Sequence, residues 1–158
     1  MSIELQATAP DFTLLDTKRE AVTLSSFQGK QVVVLAFFPA AFTGVCETEL
    51  CTFRDALADL NDLDATVLGI SVDAPFSNAA FAEKNGVNFP VLSDYKREAT
   101  QAYGVALEDF AGMAGYTASK RAVFVVAKDG KIAYTWVGPN PGVEPDYDAV
   151  KAAVEALK

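Results

Sequence analysis

The 158-residue sequence contains no histidine and only two cysteines, Cys46 and Cys51. Without imidazole, catalysis by Cys–His or Ser–His pairs is excluded, as are metal sites built on histidine. A zinc site would need carboxylates beside the two thiols, so we expect neither a metal nor another cofactor. Closely spaced thiols in a protein of this size favour redox chemistry over a structural disulfide, with two inert buried thiols as the alternative.

Long apolar runs and basic clusters are also missing. No segment approaches the roughly 20 apolar residues needed to cross a bilayer, and the N-terminal segment MSIELQATAP has no basic region followed by an apolar core. The formal net charge is −8, so neither nucleic-acid nor membrane binding is expected. We expect a cytoplasmic protein with one domain spanning residues 1–158, a length that buries about 70% of the unfolded surface.

The chain is organised around residues 32–54, which contain both cysteines. The unbroken apolar run Val32–Phe38 predicts a buried parallel strand, and Pro39 ends it because proline cannot donate to a sheet. Apolar residues at spacings of three and four then predict a helix from about Val45 to Leu60. These residues are Leu50, Phe53, Leu57 and Leu60. Cys46 lies in the first turn, where unpaired N–H groups and the positive helix end favour a thiolate.

The rest of the chain alternates between predicted strands and helices. The predicted strands are a hairpin at 11–14 and 21–24, then 65–72, 89–92, 121–126 and 132–137. The predicted helices are 78–84, 97–103 and 146–157, and residues 108–119 are predicted to form a loop. This order predicts an α/β protein with a thioredoxin-like three-layer fold and an N-terminal β-hairpin extension.

Three residues before and within the cysteine helix carry a family resemblance. Pro39, Thr43 and Cys46 are separated by three and two residues, which resembles the peroxiredoxin signature. The run 119–126, which contains Arg121, resembles the arginine-bearing strand of that family. Two further segments resemble family landmarks, namely 9–12 and 89–94. The resemblance therefore extends over nearly the whole chain.

Two subfamilies are mixed in this pattern. The segment 42–46 is similar to the alkyl hydroperoxide reductase E type, which has one cysteine. Cys51 is instead similar to the second cysteine of the bacterioferritin-comigratory (Q) type, which resolves the first cysteine on the same helix. The resemblance implies a homodimer without specifying its contacts.

The resemblance implies a thiol-dependent peroxidase that reduces hydrogen peroxide and small organic hydroperoxides. Cys46 would attack the peroxide as a thiolate and become a sulfenic acid, and Arg121 would stabilise both the thiolate and the charge on the breaking bond. Thr43 would orient the peroxide, and Pro39 would shield the site from water. Glu49, one turn after Cys46, would orient Arg121 through a hydrogen bond.

Each of these residues also has a purely structural interpretation. Cys46 would be an inert buried thiol, Thr43 would only cap the helix, and Pro39 would only end the strand. Arg121 would lie on the surface at the start of a strand, and Glu49 would be a solvated carboxylate.

Cys51 leaves two catalytic cycles open. On an intact helix the Cα atoms of Cys46 and Cys51 are about 8.6 Å apart, beyond the ~7 Å limit for a disulfide. If Cys51 resolves Cys46, the first turns of the helix must unwind, and a thioredoxin-like or other thiol reductant completes the cycle. If Cys51 is a core residue, Cys46 works alone with an external thiol.

Two functions of other kinds are less consistent with the sequence. In a disulfide oxidoreductase of the thioredoxin type two residues separate the cysteines, whereas four separate them here. A non-catalytic thioredoxin-fold binding module would not need Cys46 together with Thr43 and Arg121.

Overall fold

The computed structural model describes residues 3–157, apart from the side chains of Leu57 and Ala58. Leu57, predicted to lie on the apolar stripe of the cysteine helix, therefore falls outside the described side chains. The strands are β1 (Thr13–Leu15), β2 (Ala21–Thr23), β3 (Val32–Phe37), β4 (Ala65–Ser71), β5 (Val91–Ser93), β6 (Ala106–Leu107), β7 (Ala118–Ser119), β8 (Ala122–Val126) and β9 (Ile132–Val137). The α-helices are α1 (Gly44–Asp62), α2 (Pro75–Lys84), α3 (Glu98–Ala102) and α4 (Tyr147–Glu155). Within the described range, no helix has the length and apolar character needed to cross a bilayer.

Seven of the strands form one sheet in the order β2-β1-β5-β4-β3-β8-β9. The central strands β3, β4 and β5 run parallel, and the outer strands are antiparallel to their neighbours. The hairpin β1–β2 extends the sheet beyond β5. Helices cover both faces, so the predicted three-layer α/β fold with an N-terminal hairpin is confirmed.

β3 is buried on both faces of the sheet. Val32, Val34 and Ala36 belong to the core shared with α1, α2 and α4, whereas Val33 and Leu35 belong to the core shared with α3 and the N-terminal segment. A strand covered on both sides needs an apolar residue at every position, which explains the unbroken run in the sequence. Its carboxyl end leads directly into the loop before α1.

The structure differs from the predicted elements around residues 108–119. This segment is not a simple loop, because β6 and β7 pair as a short antiparallel ladder at its two ends, and Phe110–Gly112 forms a 3-10 turn. Strands of two residues are too short to show a periodic pattern.

The bounds of α2 and α3 also differ from prediction. α2 begins at Pro75, three residues before the predicted start, because proline fits the first turn of a helix. α3 spans only Glu98–Ala102, because Arg97 adopts a left-handed backbone with φ of 61° that a right-handed helix does not allow.

Candidate active site

The loop between β3 and α1 places Cys46 in the first turn of the helix. Pro39 is buried at the end of the strand, and Phe42 has a left-handed backbone with φ of 65°. α1 begins at Gly44, so Cys46 is its third residue. The backbone N–H of Ala41 donates to Asp73 Oδ2 over 2.8 Å, which anchors the loop to the end of β4. No motif in the sequence indicates this role for Asp73.

Cys46 is fully buried, and a guanidinium group contacts its sulfur. Arg121 Nη2 donates to Cys46 Sγ over 3.0 Å. Arg121 precedes β8, and Ala122 pairs with Phe37 across the sheet, so the arginine emerges at the carboxyl end of β3 where α1 begins. Only 2% of Arg121 is exposed. The alternative interpretation, in which Arg121 lies on the surface at the start of a strand, is therefore wrong.

Two further partners hold the guanidinium group of Arg121. Nη1 donates to Glu49 Oε1 over 2.9 Å. Nε and Nη2 both donate to the backbone carbonyl of Pro141, over 3.2 and 3.0 Å. The planar fork of donors therefore has a fixed orientation toward Cys46. Pro141 was missed by the sequence analysis, since a backbone carbonyl leaves no signal in the side-chain pattern.

Thr43 occupies the N-cap of α1 but does not cap it with its side chain. Its hydroxyl donates to the carbonyl of Ala40 over 2.8 Å, and its backbone carbonyl accepts from the N–H of Glu47 over 3.0 Å. The capping role considered for the Thr43 side chain is therefore wrong. The side chain is exposed at the mouth of the loop.

Cys51 lies on the same continuous helix but has different neighbours from Cys46. It is half-buried, and its Sγ donates to Asn85 Oδ1 over 3.8 Å. Both thiols are free. The structure therefore brings together Cys46, Glu49 and Arg121, and it does not bring Cys51 to them.

The protein-family model described as the AhpC/TSA family matches residues 5–135. The chain belongs to the AhpC/TSA family. It is 42% identical over 157 residues to the alkyl hydroperoxide reductase E of Mycobacterium tuberculosis, and the match covers 98% of each protein.

Two solved structures resemble this AhpC/TSA member along its whole length. Peroxidoxin BcpB from Mycobacterium tuberculosis has a TM-score of 0.87, 29% identity and 99% coverage of both chains. A peroxiredoxin-like protein from Aquifex aeolicus has a TM-score of 0.88 and 28% identity, with coverage of 100% of this chain and 90% of the other. The predicted peroxiredoxin resemblance and the thioredoxin-like fold are confirmed.

One cation serves two acidic groups in the site of this AhpC/TSA member. Burial raises the pKa of Glu49 to about 8, although Arg121 lowers it, and Glu144 raises it further. Burial lowers the pKa of Arg121, but Glu49 and Cys46 outweigh it and the net shift is upward. Among the described residues, Glu49 Oε2 has no hydrogen-bond partner. Glu49 is therefore a carboxyl group that readily holds a proton near neutral pH.

We predict that the free energy of unfolding falls as pH rises from about 5 to 8, and that Glu49→Gln flattens this decrease. The pKa of Glu49 is raised from its ordinary value of 4.5 to about 8. In this window the folded protein binds a proton that the unfolded chain has lost, so the contribution of this group to stability falls by at most about 1.4 kcal/mol per pH unit. Urea unfolding at several pH values measures the slope.

The control for this prediction is Glu98→Gln, the same chemical change at an exposed residue in the first turn of α3. It should keep the slope of the unaltered protein. An identical slope in Glu49→Gln and the unaltered protein would contradict the protonation of Glu49 in the fold.

Proposed function

We propose that this peroxiredoxin, a thiol-dependent peroxidase, reduces hydrogen peroxide and small organic hydroperoxides through Cys46. One observation carries the proposal, namely the 3.0 Å contact from Arg121 Nη2 to the buried Cys46 Sγ. A permanent cation and the start of a helix both stabilise a thiolate at this place. No histidine exists in the chain, so activation of the thiol depends on these two groups.

In the first chemical step the Cys46 thiolate attacks the distal oxygen of the peroxide. An S–O bond forms and the O–O bond breaks, so sulfur loses two electrons and the peroxide gains them. The leaving alkoxide or hydroxide takes up a proton to become an alcohol or water, and Cys46 becomes a sulfenic acid. Arg121 stabilises the negative charge as it moves from sulfur to the leaving oxygen.

Three neighbours support this step. The hydroxyl group of Thr43 donates its hydrogen bond to the carbonyl of Ala40. The lone pairs of the hydroxyl oxygen can therefore accept a hydrogen bond from the O–H of a bound peroxide. Pro39, buried beside the loop, removes an N–H group and limits the access of water. Glu49 orients Arg121 through its 2.9 Å hydrogen bond.

We propose that Cys51 resolves the sulfenic acid. Its thiolate attacks the sulfur of Cys46, an S–S bond forms, the S–O bond breaks, and hydroxide leaves as water after taking a proton. Because α1 is continuous from Gly44 to Asp62, the two Cα atoms start about 8.6 Å apart. The first turns of α1 must therefore unwind before the disulfide forms. A thioredoxin-like dithiol then reduces the disulfide.

A one-cysteine cycle is the second candidate. The hydrogen bond from Cys51 to Asn85 favours it, because this contact holds Cys51 against α2 rather than toward Cys46. In that cycle an external thiol attacks the sulfenic acid directly.

One equivalent of peroxide distinguishes the two cycles. We predict an intramolecular Cys46–Cys51 disulfide by peptide mapping and faster amide exchange across residues 45–53, because the disulfide cannot fit the helix. The control Cys51→Ser should instead accumulate a Cys46 sulfenic acid that a dimedone-type reagent traps. A lasting sulfenic acid beside a free Cys51 in the unaltered protein would contradict resolution by Cys51.

A homodimer, a cytoplasmic location and a single domain over residues 1–158 are further parts of the proposal. Phe42, next to the active site, is 50% exposed, and a second copy covering this side chain would remove an apolar surface from water. Light scattering of the protein and of Phe42→Ser, with a loss of dimer expected in the variant, tests the contact.

A further inference from the structure

We infer that the last turn of α2 is a latch that holds Cys51 away from Cys46 and sets the rate at which their disulfide forms. The latch consists of Phe81, Lys84 and Asn85. This inference rests on the proposed resolution of Cys46 by Cys51. It identifies positioning residues for that step, of which Lys84 and Asn85 make no hydrogen bond or ion pair with Cys46, Arg121 or Thr43 in the described structure.

One side of α1 follows the end of α2. Glu47, Cys51 and Arg54 recur at spacings of four and three, so they share one stripe of the helix. Each of them contacts a residue of the latch. Glu47 Oε1 lies 3.2 Å from Lys84 Nζ. Cys51 Sγ donates to Asn85 Oδ1 over 3.8 Å, and Arg54 Nη1 donates to the backbone carbonyl of Asn85.

Cys46 lies on a different side of the same helix. It belongs, with Leu50 and Phe53, to the core beneath α1, and its sulfur contacts Arg121. The two cysteines are therefore bound to different parts of the protein. Cys51 reaches Cys46 only after the stripe that faces α2 has separated from the latch.

The latch also holds the loop before the helix. The rings of Phe42 and Phe81 pack edge to face with centroids 5.4 Å apart, and Lys84 Nζ lies 5.8 Å from the centroid of Phe42. Lys84 thus bridges the loop and the first turn of α1 through one cation–π contact and one ion pair. Unwinding the start of α1 has to break both contacts.

The contacts of Lys84 are weak enough to break without unfolding the protein. The side chain of Lys84 is 62% exposed and that of Glu47 28% exposed, and ion pairs in such positions are screened by water. In the described structure, none of the hydrogen bonds and ion pairs of Lys84 or Asn85 involves Cys46, Arg121 or Thr43. The latch therefore acts on the resolving step and leaves the attack on peroxide unchanged.

A second reaction of the sulfenic acid reports the opening of the latch. Before Cys51 arrives, a second peroxide can oxidise the Cys46 sulfenic acid to the sulfinic acid. Disulfide formation and this second oxidation compete for the same sulfenic acid. Faster disulfide formation therefore yields less sulfinic acid at a given peroxide concentration. We expect Lys84→Ala to raise the rate of disulfide formation about threefold to tenfold. The peroxide concentration that gives half sulfinic acid should rise by the same factor.

The experiment follows oxidation by rapid alkylation and mass spectrometry, which separates sulfenic acid, disulfide and sulfinic acid. Lys84→Arg keeps a cation for Glu47 and Phe42 and should restore the behaviour of the unaltered protein. The matched control is Lys151→Ala, which removes an ion pair with Asp59 of 3.4 Å on the far half of α1. It makes the same change in charge and should alter neither the rate of disulfide formation nor the yield of sulfinic acid.

The outcomes separate this inference from the proposed function. If no Cys46–Cys51 disulfide forms in the unaltered protein, resolution by Cys51 and the latch are both overturned, whereas the proposed reduction of peroxide by Cys46 is not. If the disulfide forms equally fast in Lys84→Ala, or if Lys151→Ala accelerates it as much, the latch alone is overturned. Slower attack on the first peroxide in Lys84→Ala would also overturn it, because Lys84 would then act on the peroxide site.

Discussion

Replacing Cys46 by serine is expected to reduce peroxide turnover by at least about a thousandfold, the scale seen when an enzyme loses its nucleophile. Serine fits the buried position of Cys46 and the first turn of α1, so the fold should persist. Its hydroxyl group is not ionised near neutral pH, and Arg121 then has no sulfur anion to stabilise. Peroxide consumption by the purified protein with a thiol reductant measures the loss.

Cys51→Ser is the matched control for Cys46→Ser. It makes the same chemical change on the same helix, five residues on, and should still consume its first equivalent of peroxide at the normal rate. Retention of most of the turnover in Cys46→Ser would show that Cys46 is not the nucleophile, and the proposed function would fall with it.

The second large effect is expected for Arg121→Ala. The change removes the donor to Cys46 Sγ and the cation beside Glu49, so the thiolate loses its principal partner. We expect the rate of the first oxidation to fall by about 10²- to 10³-fold.

Arg121→Lys distinguishes charge from geometry in this prediction. Lysine restores a positive charge but cannot reach Cys46, Glu49 and Pro141 together as the planar fork does, so the rescue should be partial. Thermal unfolding accompanies the kinetics, because Arg121→Ala removes the hydrogen-bond donor of the buried Glu49 carboxyl group and should lower the free energy of unfolding by about 1–3 kcal/mol. An unchanged rate of the first oxidation in Arg121→Ala would remove Arg121 from the mechanism.

The sequence alone determined the elements whose causes are local. The unbroken run Val32–Phe38 specified a strand buried on both faces, because only an interior strand needs an apolar side chain at every position. The spacing of Pro39, Thr43 and Cys46 specified a strand end, a short loop and a thiol in the first turn of a helix. A helical period also put Cys51 on α1, too far along an intact helix for a disulfide.

Only the tertiary structure decided the partners of these residues. Arg121 is 75 residues from Cys46 along the chain, and the register between β3 and β8, which packing across the sheet sets, brings them together. That same packing leaves Glu49 fully buried with a raised pKa and supplies the carbonyl of Pro141. In the same way, the contact between Cys51 and Asn85 depends on how α1 lies against α2. Local spacing determines the direction in which a side chain leaves its own helix or strand. The group that it contacts belongs to another part of the chain. The free energy of packing the two elements against each other decides which group that is.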